Sequence, residues 1–340
     1  MKISLLLIIL SLTFVSAQNN FDQIDAETKK IGYTKNLKTI SDKIASFADT
    51  DEEKIRAIFV YISTHIVYDL GSFKKGISPD PNPELVIANR KAVCQGYSEL
   101  FKKLCLMQNI PCEVLAGYSK GYGYRKGKKF KNTDHAWNAV KINDKWQLID
   151  VTWGSGYVDE NDNYIAQFTP TYFQQSPKQF ILKHLPADPM WQLLNNNEIA
   201  LSEFEKDSTT MKEFLNRTIN INYADTLSYW EKKDSIGKIV SSNIRIIRFN
   251  PENNDAWYKL GWFYYTLAWQ RMAQLNNPDV QRDRSAAPKL AQEAINYLNE
   301  SLKYMNEIGR RDPFYSNDVK AKKESIAQNL KTLEKIAKAK

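Results

Sequence analysis

Between Lys91 and Trp153 the chain carries one helix pattern and two strand patterns in a fixed order, and the rest of the fold has to accommodate them. Tyr97, Leu100, Phe101, Leu104, Cys105 and Gln108 recur at three- and four-residue spacing. One helix face is therefore almost wholly apolar, and the helix is expected inside a core. It ends at Asn109, because Ile110-Pro111 forbids continuation. Cys94 then falls in the first turn, where unpaired backbone N–H groups and the positive end of the helix dipole favour an anion over a neutral thiol. Of the three cysteines, Cys94 is the one placed to react.

The partners of that thiol follow from strand parity. The runs 136–142 and 145–152 are rich in β-branched and aromatic residues and flank Asn143-Asp144, a short hairpin-turn signal. An even loop pairs Ile142 with Lys145, sets His135 opposite Thr152 and Trp137 opposite Asp150. His135 and Asp150 then point to the same side as diagonal neighbours, roughly 7–8 Å apart at the backbone, a gap that an Asp–His hydrogen bond spans. An odd loop would put them on opposite faces.

The helix-borne Ala92-Val93-Cys94-Gln95-Gly96-Tyr97-Ser98, the His135-Ala136-Trp137-Asn138 of the first strand and Ile149-Asp150-Val151-Thr152-Trp153-Gly154 resemble the core of the transglutaminase-like superfamily, whose fold is related to the papain-like peptidases. The later run from Ser176-Pro177-Lys178 through His184-Leu185-Pro186 to Trp191-Gln192-Leu193-Leu194 is similar to the branch typified by the kyphoscoliosis peptidase. The resemblance covers about Asp51 to Leu194. It implies an α+β fold, a buried Cys-bearing helix packed on an antiparallel sheet, with Cys94 as nucleophile, His135 as base and acid, and Asp150 orienting the imidazole. The activity it implies is two-step acyl transfer on a protein or peptide amide through a thioester, as a transglutaminase or a cysteine peptidase, with no cofactor and no metal. The rival reading is a catalytically silent scaffold of the same fold that binds protein partners through its helical half.

Around this centre the 340 residues divide into a leader over 1–17, a lead-in over 18–50, the transglutaminase-like domain over 51–200 and an α-helical domain over 201–340. Met1-Lys2, the apolar run 3–15 and Ser16-Ala17 before Gln18 have the layout of a cleavable secretory signal, so the protein is expected to be secreted or periplasmic, with no integral membrane segment once the signal is gone. In an oxidising compartment three cysteines leave at least one thiol free, and Cys105 and Cys112 are either partners or small buried hydrophobes. A zinc site from Cys94, Cys105, Cys112 and His135 lacks any Cys-x-x-Cys pair. The formal charge of +8 falls to +7 when Lys2 leaves with the leader, and Lys and Arg are dispersed without a nucleic-acid module, so no nucleic-acid partner is expected.

The lead-in is polar, with a frayed start and a short helix after it; Asp51 to His65 is a firmer helix with the stripe Ile55, Ile58, Phe59 and Ile62. His65 lies on the wrong side of Cys94 for the family order and is read as structural or solvated. Gly71 to Pro83 is a loop, Pro83 to Ala88 a helical turn, Glu113 to Tyr118 a strand, and Lys120 to Lys131 a Gly- and Lys-rich connection, solvated or gating. Asp159 to Asn163 lacks the glycine and distal glutamate of a calcium loop and is read as a surface turn; His184 is read as a satisfied core histidine. After Leu201 the pattern is helical. Trp257-Tyr258-Lys259-Leu260-Gly261-Trp262-Phe263-Tyr264 fits the first helix of a tetratricopeptide repeat and Ala294 to Leu302 resembles its second, with an excess of about twenty residues between. The aromatics around Trp262 are assigned to core packing, with a groove for a partner peptide as the alternative.

Overall fold

Thr50 and Glu53 start the helix at the centre of the first unit: the Thr50 side chain accepts from the Glu53 amide, and the Glu53 carboxylate accepts from the Thr50 amide. This reciprocal cap satisfies donors that the helix end leaves open. The helix runs Asp51–His65, and Ile55 through Ser63 are buried all round. In the computed structural model the described residues are 16–338, apart from 196, 220, 222, 283, 284 and 309–312. Residues 1–15 of the expected leader lie outside them.

Two units form. The first takes the chain up to Arg125, Asp134–Pro186 and Trp191–Leu194, and the second takes Lys126–Thr133, Ala187–Met190 and the chain from Asn195 onward.

The first unit is a five-stranded antiparallel sheet in the order Phe173–Gln175, Lys145–Ile149, His135–Ile142, Cys112–Ser119, His184–Pro186. Helices Asp51–His65 and Cys94–Met107 join one core with it, through Ile58, Phe59, Tyr97, Leu100, Phe101, Val140 and Ile149. The expected lead-in does not fray after Ser16: it forms the helix Ser16–Lys30, with Ile24 and Thr28 buried. Asp25 grips Arg56 through two hydrogen bonds, 2.7 and 2.6 Å, and the Arg56 guanidinium lies 4.9 Å from the Phe173 ring. A forked ion pair with an aromatic face beneath it is a strong local clamp, and no periodicity announces it.

The Cys94–Met107 helix stops as its sequence requires. Asn109 takes φ 60°, its N–H bonds to the Leu106 carbonyl and that of Ile110 to the Cys105 carbonyl, a Schellman close before Pro111. At the other end Gly96 packs where a side chain cannot go: a Cβ there would lie 2.8 Å from the Ala92 Cβ and 3.0 Å from the Val86 Cγ2.

Asn143 and Asp144 both adopt left-handed φ, 48° and 60°, the signature of a two-residue type I′ turn, and Ile142 pairs with Lys145. The second strand ends at Ile149, however, not at Thr152. Asp150 accepts the Trp153 amide and caps a short helix, Val151–Ser155, so a helix cap overrides the β propensity of Val151 and Thr152. The Gly71–Pro83 segment holds the end of a one-turn helix, Leu70–Lys74, capped by Asp69. Asp159 accepts the amides of Asn161 and Asn163 and closes the turn of a small hairpin, Gly156–Val158 with Tyr164–Ala166.

The second unit is helical. Ala286–Glu307 packs against both Asn254–Gln274 and Pro313–Ala337. Gly261 makes the first of these crossings close: an added Cβ would stand 2.7 Å from Met305 Cγ, and the Ser301 hydroxyl donates to the Gly261 carbonyl at 2.7 Å. A short helix, Pro278–Arg282, stands between the two main helices, which run 21 and 22 residues. The aromatic run is divided: Trp257, Tyr258 and Tyr265 pack on the core of this unit, while Trp262 and Trp269 are exposed. The Lys-rich connection is not simply solvated, since Phe130 is buried against Phe204, its amide donates to Glu205, and Asn250 donates to the Lys131 carbonyl at 2.8 Å. Among the described residues no helix is long and apolar enough to cross a membrane.

Candidate active site

Cys94 is the first residue of its helix. Val93 precedes it in an extended conformation and provides no side-chain cap, so no side chain takes up the amides of the first turn. The cysteine is partly exposed, whereas Cys105 and Cys112 are buried. The chain reaches Cys94 from the strand Lys91–Ala92, which pairs in parallel with Val67–Tyr68. The Tyr97 hydroxyl donates to the Ile66 carbonyl at 2.6 Å, tying the start of the helix to the end of the Asp51–His65 helix.

His135 opens its strand, buried, and meets both expected partners. Its Nε2 donates to Asp150 Oδ2 at 2.8 Å, and Cys94 lies near enough to act on the charge of the imidazole. Parity and the even turn therefore bring the imidazole and the carboxylate together, and the helix start brings the thiol to the same ring. The Trp153 ring stacks on His135 at 5.4 Å between centroids, 28° from parallel.

Asp150 has no exposed surface and accepts three N–H groups. Oδ1 takes the Trp153 amide at 3.0 Å; Oδ2 takes His135 at 2.8 Å and the His184 Nε2 at 2.9 Å. Burial alone would push this carboxyl up, but the charge and hydrogen bond of His135, with the hydrogen bond of His184, hold it well below the usual carboxylate range. For His135 burial works downward, and the ionised Asp150 overrides it, with Cys94 contributing in the same sense, so its pKa stands well above the ordinary imidazole value. The two shifts describe one buried ion pair, carboxylate and imidazolium.

His184 was assigned by its sequence to the core, and it is buried there, stacked on Phe180 at 4.2 Å and set against Trp153 at 4.2 Å. Its bond to Asp150 was not foreseen. It sits on a three-residue edge strand, paired with Ser119, and so short a segment shows no periodicity to read. Burial, followed by the charge of His135, outweighs the pull of Asp150 and moves its pKa down, so it serves as a neutral donor. His65 is structural: its Nδ1 contacts the Tyr61 carbonyl at 2.9 Å and its ring stacks on Tyr61. Tyr68 lies on the thiol side of the site. Burial, then the charges of Cys94 and Asp150, push its hydroxyl far above the usual phenol range.

The ligand atoms of His135, Asp150 and His184 lie within 4.8 Å of one another, a spacing that suits a cation. Both Nε2 atoms, however, are directed at the same carboxylate oxygen, so their protons occupy that oxygen, while the buried Nδ1 of His184 makes no hydrogen bond. The four-residue zinc set weighed from the sequence is not assembled. Cys105 stands eleven residues down the helix from Cys94, roughly 16 Å along its axis, and is buried next to Cys112. Both of those thiols are free.

Residues 38–151 match the family model of the Transglutaminase-like superfamily, beginning inside the stretch read as a lead-in. Kyphoscoliosis peptidase of Mus musculus is 34% identical over 199 residues, 58% of this chain and 30% of that protein, and the Homo sapiens protein gives the same figures. Hillarin of Drosophila melanogaster is 31% identical over 169 residues, 46% of this chain and 20% of its own. A crystal structure of a TGase is 19% identical and covers 49% of this chain and 39% of that one, with a TM-score of 0.26. The chain spans under a third of the length of the curated relatives it matches. The similarity to the Transglutaminase-like superfamily thus lies within residues 38–151 of this chain.

Proposed function

We propose that the protein is an exported cysteine-dependent acyl-transfer enzyme acting on protein or peptide amides. The observation that carries this reading is one buried imidazole, His135, bonded to the buried carboxylate of Asp150 and near Cys94 at the start of a helix. In the proposed reaction the Cys94 thiolate, paired with protonated His135, attacks the carbonyl carbon of a glutamine carboxamide or a backbone amide. The C–N bond breaks as His135 passes its proton to the departing nitrogen, leaving a thioester on Cys94. Water then attacks the thioester and gives hydrolysis, or a lysine amine attacks it and gives a crosslink; in either case His135 takes the proton and the thiolate leaves. Asp150 keeps the imidazole in the useful tautomer and stabilises its cation. The uncapped backbone N–H at Cys94 is one donor for the oxyanion. Export rests on the leader-like residues 1–17 alone, and a mature chain beginning at Gln18 would support it.

The test is covalent labelling. Wild type and Cys94→Ala are treated with a thiol-directed probe at neutral pH, followed by intact mass. The expected result is one label on the wild type and none on the variant. Labelling equal in both, or confined to Cys105 or Cys112, counts against catalysis. With Cys94 reactive, amine incorporation into a glutamine protein, set against conversion of glutamine to glutamate or chain cleavage without incorporation, separates crosslinking from hydrolysis.

A further inference from the structure

A second imidazole on the carboxylate changes what that carboxylate can do. Asp150 Oδ2 receives His135 at 2.8 Å and His184 at 2.9 Å, and both side chains are almost entirely shielded from water. A carboxylate with no water on it stays ionised only if its lone pairs are occupied by donors. Trp153 N–H supplies one donor and the His135 Nε2–H another, but under the reading above His135 hands the proton of its other ring nitrogen to the leaving group and with it loses its positive charge. At that moment Asp150 would lose the charge that compensates its own. His184 has no such errand, because its Nε2 faces Asp150 and its ring is wedged between Phe180 and Trp153.

We propose that His184 is a positioning residue of the site: its neutral Nε2–H anchors the Asp150 carboxylate, ionised and in one orientation, through the steps in which His135 gains and loses its proton. The proposal rests on the acyl-transfer reading for the roles of Cys94 and His135, and on the hydrogen bond for its own part. The titratable groups that face His184 are Asp150, His135 and Tyr172, and the other neighbouring rings, Phe180, Trp137 and Trp153, carry no charge. Among the described residues Asp150 accepts from its Nε2 at 2.9 Å, and the buried Nδ1 makes no hydrogen bond. A purely space-filling histidine would be replaced by phenylalanine with little effect on protonation anywhere in the site.

Two measurements decide it. The first uses the wild-type chain labelled with 15N in its histidine rings. Between pH 5 and 8, His184 is expected as the neutral Nε2–H tautomer with a hydrogen-bonded proton, and His135 as the imidazolium. An imidazolium at His184, or a proton on Nδ1 alone, overturns the assignment whatever the enzyme does. The second is the pH dependence of Cys94 alkylation by iodoacetamide, in wild type, His184→Phe and His184→Gln. Loss of one hydrogen bond to a buried charge is expected to move the acid limb of the His184→Phe profile up by about one to two pH units. His184→Gln, whose amide N–H reaches toward the same oxygen, should return most of that shift. A His184→Phe profile that superimposes on the wild type overturns the inference and leaves the nucleophile intact. Wild-type Cys94 that does not react overturns the acyl-transfer reading, while the ring-nitrogen spectrum still decides the state of His184. If His184→Phe fails to fold, that spectrum and the glutamine variant carry the decision.

Discussion

Replacing Asp150 by asparagine keeps the shape of the side chain and removes its charge. The carboxylate accepts imidazole N–H groups at 2.8 and 2.9 Å and the Trp153 amide at 3.0 Å, and an amide has one acceptor oxygen where the acid has two. With that oxygen toward the histidines, the amide NH2 opposes the Trp153 N–H, and the helix cap, worth ~1 kcal/mol, is lost. With the oxygen toward Trp153, the NH2 confronts both imidazole donors. Either way His135 is left without a counter-charge. Removing one partner of a buried ion pair costs about 3–5 kcal/mol, and because His135 is able to shed its proton the loss should fall at the low end, ~3 kcal/mol near pH 6. For a unit of this size that is a fall of ~6–12 °C in Tm. The pH course has a definite sign. His135 is held above its unfolded value, so its share is complete below about pH 6.5 and is lost as pH rises through the folded pKa. Asp150 is held below its unfolded value, so its share is complete above about pH 3.9 and is lost as pH falls through the folded pKa. The gap between wild type and Asp150→Asn is therefore widest between about pH 4 and 6.5 and narrows in alkali. Thermal unfolding from pH 5 to 10 measures it. A gap that stays flat, or a variant that melts with or above the wild type, refutes the buried ion pair.

Two further outcomes test how the site is held. Gly96→Ala gains up to ~1 kcal/mol of helix propensity and meets ~1–3 kcal/mol of overpacking against the Ala92 Cβ at 2.8 Å and the Val86 Cγ2 at 3.0 Å, so a net loss of up to ~2 kcal/mol is expected in the urea midpoint. Adding Ala92→Gly should recover part of it, and a midpoint that rises for Gly96→Ala alone would contradict the contact. Asp144→Gly should raise stability by ~1 kcal/mol with an unchanged denaturant slope, because the second turn position sits at φ 60° and its side chain is fully exposed; a lower midpoint would contradict the I′ turn.

The relation between sequence and site is uneven, residue by residue. The Cys94 helix was legible to within two residues of its end, because apolar spacing, the stop at Asn109 and Pro111 are all local signals, while the Schellman close takes up Gln108 and Asn109. The hairpin was legible as far as Ile149, because turn length alone sets parity. Beyond that, Val151-Thr152 carry β propensity, and only the Asp150 cap turns them into a helix. The start of the polar lead-in was read as frayed ahead of a short helix, and the Asp25–Arg56 clamp that orders it spans 31 positions of sequence.

What the residues by themselves determined was a thiol at a helix start and an imidazole facing the side of the sheet from which an acid could reach it. Those features depend on neighbours within one or two turns of chain, and periodicity records them. Only the tertiary structure decided that Asp150 would cap a helix, be sealed from water and be held by a second imidazole from 34 residues away. Such a contact leaves no trace in spacing, because it forms only when an edge strand, set by packing on Phe180 and Trp153, delivers His184 to an oxygen already in place.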